Sequence, residues 1–373
     1  MRNTYDAIII GGGINGSSIA FQLAKRVRKV AVLERERIAC KSSGAAAGIL
    51  GAQTELTEDG PLFAFARKSR TMFPELVKEL EELSGVHIGY QNKGMYKVAA
   101  TEEQLLELKD LIKFQTRAGE KAEWLPTDEL LKHEPNVSSS LLGAMYIPND
   151  GQVDARGLSL AFAKAAMVLG AEFFEYTSVN DFILQGDKVT GVQTDQGPIH
   201  SEAVVAATGA WSKFLVEKTG LSLPISPVKG ECFSVIAKKP LIKGTVFSHG
   251  CYIVPKQSGR LVVGATMKPN TFDEKVTVSG ISALMEKAKL LVPGIADAEL
   301  ERAWAGIRPL SDDGLPFLGE HPSYRGLYIA AGHFRNGILL SPATGELMAD
   351  LLDGKAEDSG PFRLSRISGR IHA

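Results

Sequence analysis

Gly11, Gly13 and Gly16 stand in the spacing G-x-G-x-x-G, directly after the apolar run Ala7-Ile8-Ile9-Ile10. That run is β-branched and uninterrupted, as a buried parallel strand requires. Residues 17–25 follow with Ile19, Ala20 and Leu23 apolar, which predicts a helix. A second apolar run, Val30-Ala31-Val32-Leu33, ends at Glu34. Each part of such a unit has a steric or electrostatic task. Gly11 permits the tight turn, Gly13 lets the backbone approach a pyrophosphate, and Gly16 lets helix and strand pack closely. The helix N-terminus offers free N–H groups and a positive dipole end to phosphates. Glu34, placed at the end of the second strand, accepts hydrogen bonds from a ribose hydroxyl. An ordinary glycine-rich turn would need neither the strand before nor the acid behind, so a dinucleotide site is the reading.

The fingerprint does not separate NAD from FAD. Residues 35–51 bear on that choice. They are small, polar and glycine-rich, and too long for a simple turn between helix and strand. Such a loop suits a long cofactor; a surface loop is the plain alternative.

Composition excludes several other classes. Lys and Arg number 42 against 43 Asp and Glu, a balance unlike the basic excess of nucleic-acid binders. No apolar run approaches the ~18 residues of a membrane span. The opening Met1-Arg2-Asn3-Thr4-Tyr5 lacks the pattern of a signal peptide. Cys40, Cys232 and Cys251 form no paired motif, so neither a disulfide framework nor a metal site is expected. A cytoplasmic protein is the expectation.

Farther along, Leu105, Leu106, Leu108, Leu111 and Ile112 predict a helix with one apolar face over residues 102–115. Residues 143–147 predict a strand, 148–151 a turn, 158–169 a helix and 171–176 a strand. Residues 204–209 predict another buried strand ending in glycine. Residues 232–236, 251–254 and 260–263 alternate as strands of a sheet with unlike faces. The last predicted helix covers residues 341–352.

Residues 11–18, Glu34-Arg35, and residues 42–48, 204–212, 304–319 and 330–352 resemble the D-amino-acid oxidase and sarcosine oxidase superfamily of FAD enzymes. The pieces occur in that superfamily's order and span nearly the whole chain. Within it, residues 43–50, 227–232, 251–255, 259–269 and 332–340 are most similar to the glycine oxidase family of bacterial thiamine biosynthesis. The resemblance implies an α/β fold (α+β overall). A Rossmann-like FAD-binding domain would be discontinuous, over residues 1–90, 150–220 and 301–373. An antiparallel-sheet substrate domain would take residues 91–149 and 221–300, the chain returning to the cofactor domain near Trp304.

The same resemblance implies the contacts. FAD would meet Gly11, Gly13, Ile14, Asn15 and Gly16, then Glu34 and Arg35. The loop would add Ser42, Ser43, Ala46, Ala47, Gly48 and Ile49. Val179, Thr208 and Gly209 would follow, and then His333, Phe334, Arg335, Asn336, Gly337, Ile338 and Leu339. The FAD would be non-covalent, because residues 311–340 hold no cysteine where sarcosine oxidases often tether their flavin.

For the substrate, Arg308 would bind a carboxylate through its planar fork. Tyr252 would hydrogen-bond the same group, although an ordinary strand aromatic remains the alternative reading. Arg335 would stand near substrate and flavin. Met267 would line the pocket, or else belong to the core. Ile49 and Gly250 depart from the family pattern, which has a methionine and a histidine there, and would set the substrate range. The implied reaction is hydride transfer from glycine to flavin N5, with oxygen as acceptor and hydrogen peroxide, glyoxylate and ammonia as products. Sarcosine, other N-alkylglycines and small D-amino acids are related substrates. A homotetramer and a hand-off to thiazole synthase are also implied. Competing readings are a sarcosine oxidase, a D-amino-acid dehydrogenase, and a flavin-binding module without catalysis.

Overall fold

The computed structural model describes residues 4–370. Residues 1–3, part of the N-terminal reading above, lie outside them.

The predicted strand Ala7–Ile10 is central in a six-stranded sheet. It pairs in parallel with Val30–Leu33 on one side and Val204–Ala206 on the other, Ile9 standing opposite Val32 and Val205. Glu172–Phe174 lies beyond the former, Leu327–Ala331 beyond the latter, and Phe317–Glu320 closes that edge antiparallel. Every residue of Ala7–Ile10 and Val30–Leu33 is buried, because both faces of the sheet are covered. Ile9 and Val32 meet Phe21, Phe73, Phe162 and Leu340 from the helices Ile14–Lys25, Pro61–Ser84, Ala155–Val168 and Gly337–Leu352. Ile8, Ile10 and Leu33 meet Phe182, Val192 and Ile199. Those three come from a small antiparallel sheet of Val179–Gln185, Lys188–Thr194 and Gly197–His200.

The glycine spacing has the steric meaning expected of it. Gly11 sits at φ +106°, and a Cβ on Gly16 would lie 2.0 Å from the Gly11 carbonyl oxygen. The helix Ile14–Lys25 could not approach the strand so closely with any larger residue there.

The second large sheet has nine strands and is antiparallel apart from one neighbouring pair, Thr245–Ser248 beside Met95–Ala99. Its long ladder joins Ile225–Ile236 to Glu299–Ser311. On the other side of Ile225–Ile236 come Arg260–Gly264 and then Cys251–Pro255. Gly143–Ile147 pairs with both Met95–Ala99 and Glu123–Pro126 at the far edge. Residues 301–311 therefore still run in this sheet, and the chain turns back toward the six-stranded sheet after Ser311 rather than near Trp304.

The helix Pro61–Ser84 is not among the predicted elements. Its signals are a Gly60-Pro61 start, buried Phe63, Ala66, Phe73, Leu76, Val77 and Leu80 at helical spacing, and a left-handed Gly85 at its end. Among the described residues no helix is long and apolar enough to cross a membrane.

Candidate active site

A cavity of about 590 Å³ runs from the carboxyl ends of the parallel strands to the nine-stranded sheet. That volume is in the usual range for ligand sites. Its first end is built by the fingerprint. Gly11, Gly13, Ile14 and Asn15 line it together with Glu34, Arg35, Val179, Thr208 and Gly209. Glu34 is held in place: its Oε2 accepts from the Gly12 N–H at 2.7 Å and its Oε1 from the Glu36 N–H at 2.9 Å. The Asn15 side-chain oxygen is buried at this cavity without a protein partner. A buried amide in that state is completed by a ligand's polar group.

Two helices open onto the cavity by their N-termini. One is Ile14–Lys25; the other is Gly337–Leu352, through Asn336, Gly337 and Ile338. Both present positive dipole ends to whatever lies between them. The loop carrying Ser42, Ser43, Ala46, Ala47, Gly48 and Ile49 forms a wall and is stitched down at several points. Ser43 Oγ accepts from the Ile14 N–H at 2.9 Å, Ser42 Oγ donates to the Ile307 carbonyl, and Trp304 Nε1 donates to the Ala45 carbonyl at 2.9 Å. His333 and Phe334 line the cavity beside the second helix. His333 meets Thr344 Oγ1 at 3.1 Å, and burial pushes its imidazole down to about 3, so it is neutral. An extended, two-ended site with paired helix termini and an orphaned buried amide fits FAD.

The opposite end carries Ile49, Glu55, Cys232, Tyr252, Arg308 and Arg335. Arg308 makes a 3.3 Å hydrogen bond to the Thr266 carbonyl and has no carboxylate partner among the described residues. Tyr252 is buried, with its hydroxyl 3.5 Å from Cys232 Sγ. Burial holds this phenol well above its ordinary range, so it stays protonated and can donate. Arg335, by contrast, is committed: its Nε and Nη2 each lie 2.7 Å from an oxygen of Glu55. A free guanidinium beside a neutral phenol, under small apolar walls, can hold one small carboxylate. No group of residues suited to a metal ion occurs among the described residues.

Four expected contacts lie elsewhere. Gly250 occupies an exposed turn at φ +74°, between the strands Thr245–Ser248 and Cys251–Pro255, where a Cβ would face Lys287 and not the cavity. Met267 is 57% exposed and touches Arg335 from outside, Sδ lying 3.7 Å from Nη1. Leu339 packs into the helix-side core. Gly16 serves the helix–strand contact and does not line the cavity. A motif gives a residue's place in the chain but not the direction of its side chain.

Other lining residues were not foreseen. Glu55 lacks any local signature, since its partner is 280 positions away. Cys232 could have been found from the strand alternation that places it two residues from Gly230 on one face. Trp211 lies next to the expected Gly209, and its ring carries the Arg35 guanidinium at 5.4 Å.

Comparison with known proteins adds to this geometry. The family model of FAD dependent oxidoreductases matches residues 6–351. A glycine oxidase of Geobacillus kaustophilus is 48% identical, over 100% of this chain and 99% of that protein. A glycine oxidase of Bacillus subtilis is 41% identical, over 98% of both. A bifunctional protein ThiO/ThiG of Synechocystis is 34% identical, over 94% of this chain and 52% of that protein. The crystal structure of the Geobacillus kaustophilus glycine oxidase superposes with a TM-score of 0.95, covering 98% of this chain and 99% of that one.

Proposed function

This chain belongs to the FAD dependent oxidoreductase family, with FAD as its cofactor, and from that premise we propose that it oxidises glycine. The products are glyoxylate, ammonia and hydrogen peroxide, with oxygen and water consumed. FAD, held by the residues that line the cavity, would supply a two-electron acceptor for the substrate and a route for those electrons to oxygen. The observation that carries the reading is Arg308, a guanidinium without a carboxylate partner among the described residues at the nine-stranded-sheet end of the FAD cavity.

The residues divide the work. Arg308 binds the glycine carboxylate through two parallel hydrogen bonds, and the Tyr252 hydroxyl donates a third. Glycine is then held at both of its carboxylate oxygens, and its α-carbon is oriented by position alone. No side-chain base is assigned to that carbon. Cys232 and Tyr252 are both held protonated by burial. Glu55 is occupied by Arg335. Ile49 and Ala47 keep the wall apolar and limit the size of the substituent on the substrate. Sarcosine, other N-alkylglycines and small D-amino acids are further substrates. We assign the FAD-binding unit to the six-stranded sheet with its helices, and the substrate unit to the nine-stranded sheet, residues 301–311 included.

The cofactor is held without a covalent bond, by the fingerprint, the loop 42–50 and the two helix termini. We further propose a cytoplasmic enzyme that hands its imine product to thiazole synthase. The likeness of this chain to about half of a bifunctional relative supports the hand-off. Channelling would lower the yield of free glyoxylate when the synthase is added.

The test is anaerobic addition of glycine to the purified yellow protein, followed near ~450 nm through the flavin. Bleaching by glycine, with rapid recovery and peroxide on admitting air, is the expected result. A flavin bleached by sarcosine or D-alanine alone would move the assignment to those substrates. A flavin that glycine bleaches but that stays reduced when air is admitted would move it to a dehydrogenase.

A further inference from the structure

Arg308 does not project straight out from its own position. In the ladder it stands opposite Val228, while Gly230 stands opposite Gly306. Its side chain leans along the sheet until the guanidinium lies on Gly230. A Cβ built on Gly230 would fall 2.2 Å from Nη2, 2.3 Å from Nη1 and 2.4 Å from Cζ of Arg308. No real Cβ tolerates such distances. The backbone of Gly230 is in an ordinary extended strand, a conformation open to any residue. Space for the guanidinium, not chain geometry, is therefore what demands glycine here.

Tyr252 shows a parallel arrangement two strands away. Its cross-strand partner is Gly264, and a Cβ there would fall 2.4 Å from the phenol oxygen. Both polar groups at this end of the cavity thus rest on bare backbone.

We infer that Gly230 is a positioning residue, the seat that holds the Arg308 fork flat and aimed at a small carboxylate. A side chain at residue 230 would lift the guanidinium off the sheet and into the space meant for the ligand. This deepens the reading of Arg308 as a carboxylate anchor and rests on it.

The test uses the FAD-loaded enzyme and two probes. Acetate, a carboxylate without an amine, is titrated by its perturbation of the visible flavin spectrum, and glycine turnover is measured alongside. Gly230→Ala is expected to weaken acetate binding and raise the glycine KM by about 10- to 100-fold, the range for lost charge-assisted hydrogen bonds, with kcat changed far less. The same substitution placed in an Arg308→Ala background should add nothing further, since the two residues act as one unit. Additive losses in the double variant would overturn the inference, as would acetate affinity within about twofold of wild type in Gly230→Ala. Should Gly230→Ala fail to fold, the double variant, with the clash removed, is expected to fold and take up FAD. Its failure to do so would also overturn the inference. A wild type that binds acetate but is not reduced by glycine would sink the proposed substrate and leave the seat standing. A wild type that binds no acetate would overturn the seat itself.

Discussion

Arg335 grips Glu55 from both sides, with Nε and Nη2 each 2.7 Å from a separate carboxylate oxygen. The pair leaves Arg308 as the guanidinium at this end without a carboxylate partner among the described residues, so this end of the cavity offers one arginine to a carboxylate and not two. Glu55→Gln removes the counter-charge while keeping the shape. Arg335 then becomes available to a second carboxylate. The kcat/KM ratio of D-aspartate over glycine should rise by about tenfold, the value of one hydrogen-bonded charge. Stability should fall by about 3 kcal/mol, because a largely buried arginine is left uncompensated. Steady-state kinetics on both amino acids, with urea unfolding, reads both effects. An unchanged ratio would mean that Arg335 does not reach the substrate space.

Arg308→Lys keeps the charge and loses the planar fork. Two parallel hydrogen bonds become one, and kcat/KM for glycine should drop by roughly 30- to 100-fold. FAD content should not change. A drop of less than about threefold would show that charge alone, not the fork, binds the carboxylate.

Tyr252→Phe deletes one donor and keeps the ring. A loss of about tenfold in kcat/KM is expected for a hydrogen bond to a carboxylate. Because burial keeps the phenol protonated above its usual value of 10, the ratio of wild type to variant should stay flat up to that pH. A ratio that collapses between neutral pH and pH 9 would show that the hydroxyl ionises within the working range.

How much of this was legible in the chain itself differed by level. The fingerprint strands were readable because burial on both faces leaves an unbroken apolar run such as Ala7-Ile8-Ile9-Ile10. Glu34 was readable because its distance from the glycines is set by one helix and one strand. Arg308 and Tyr252 came from likeness to a family, since nothing in their neighbours states that they meet. The ladder brings them together across strands at residues 225–236, 251–255 and 260–264. Glu55 was missed for the same reason. Met267 and Gly250 were given pocket roles because their motifs lie near the site, but both side-chain positions point outward.

His333 supplies a pH test of stability. Its folded value of about 3 lies below the ordinary 6.5, because burial disfavours the imidazolium. The unfolded chain binds the proton more readily between those values. The stabilising contribution is therefore complete above pH 6.5 and is lost as pH falls toward 3, by about 1.4 kcal/mol per pH unit. Thermal melts of wild type and His333→Gln at pH 7.5 and 4.5 should show a smaller acid-induced fall in the variant. Equal falls in the two proteins would contradict this account.

Asp150 is fully buried and accepts from the Thr54 N–H at 2.8 Å and from Arg70 Nη1, also at 2.8 Å. It ties the short segment that ends in Glu55 to the helix Pro61–Ser84. Asp150→Asn should cost about 3–5 kcal/mol, since Arg70 loses a partner it cannot replace with water. Denaturant midpoints measure this. A cost below about 1 kcal/mol would mean that Glu120, the other partner of Arg70, carries the charge alone.

The helix Gly337–Leu352 lies against Ile14–Lys25, where Ser18 Oγ donates to the Ser341 carbonyl at 2.7 Å. Elements near opposite ends of the described chain thus form one wall of the cofactor cavity. A ribosome makes them in sequence, so the glycine fingerprint is in the cell well before its neighbour. Until residues 327–352 emerge, the six-stranded sheet lacks its Leu327–Ala331 strand and the cavity lacks its second helix terminus. The complete FAD cavity therefore exists only once residues 327–352 have joined the fingerprint.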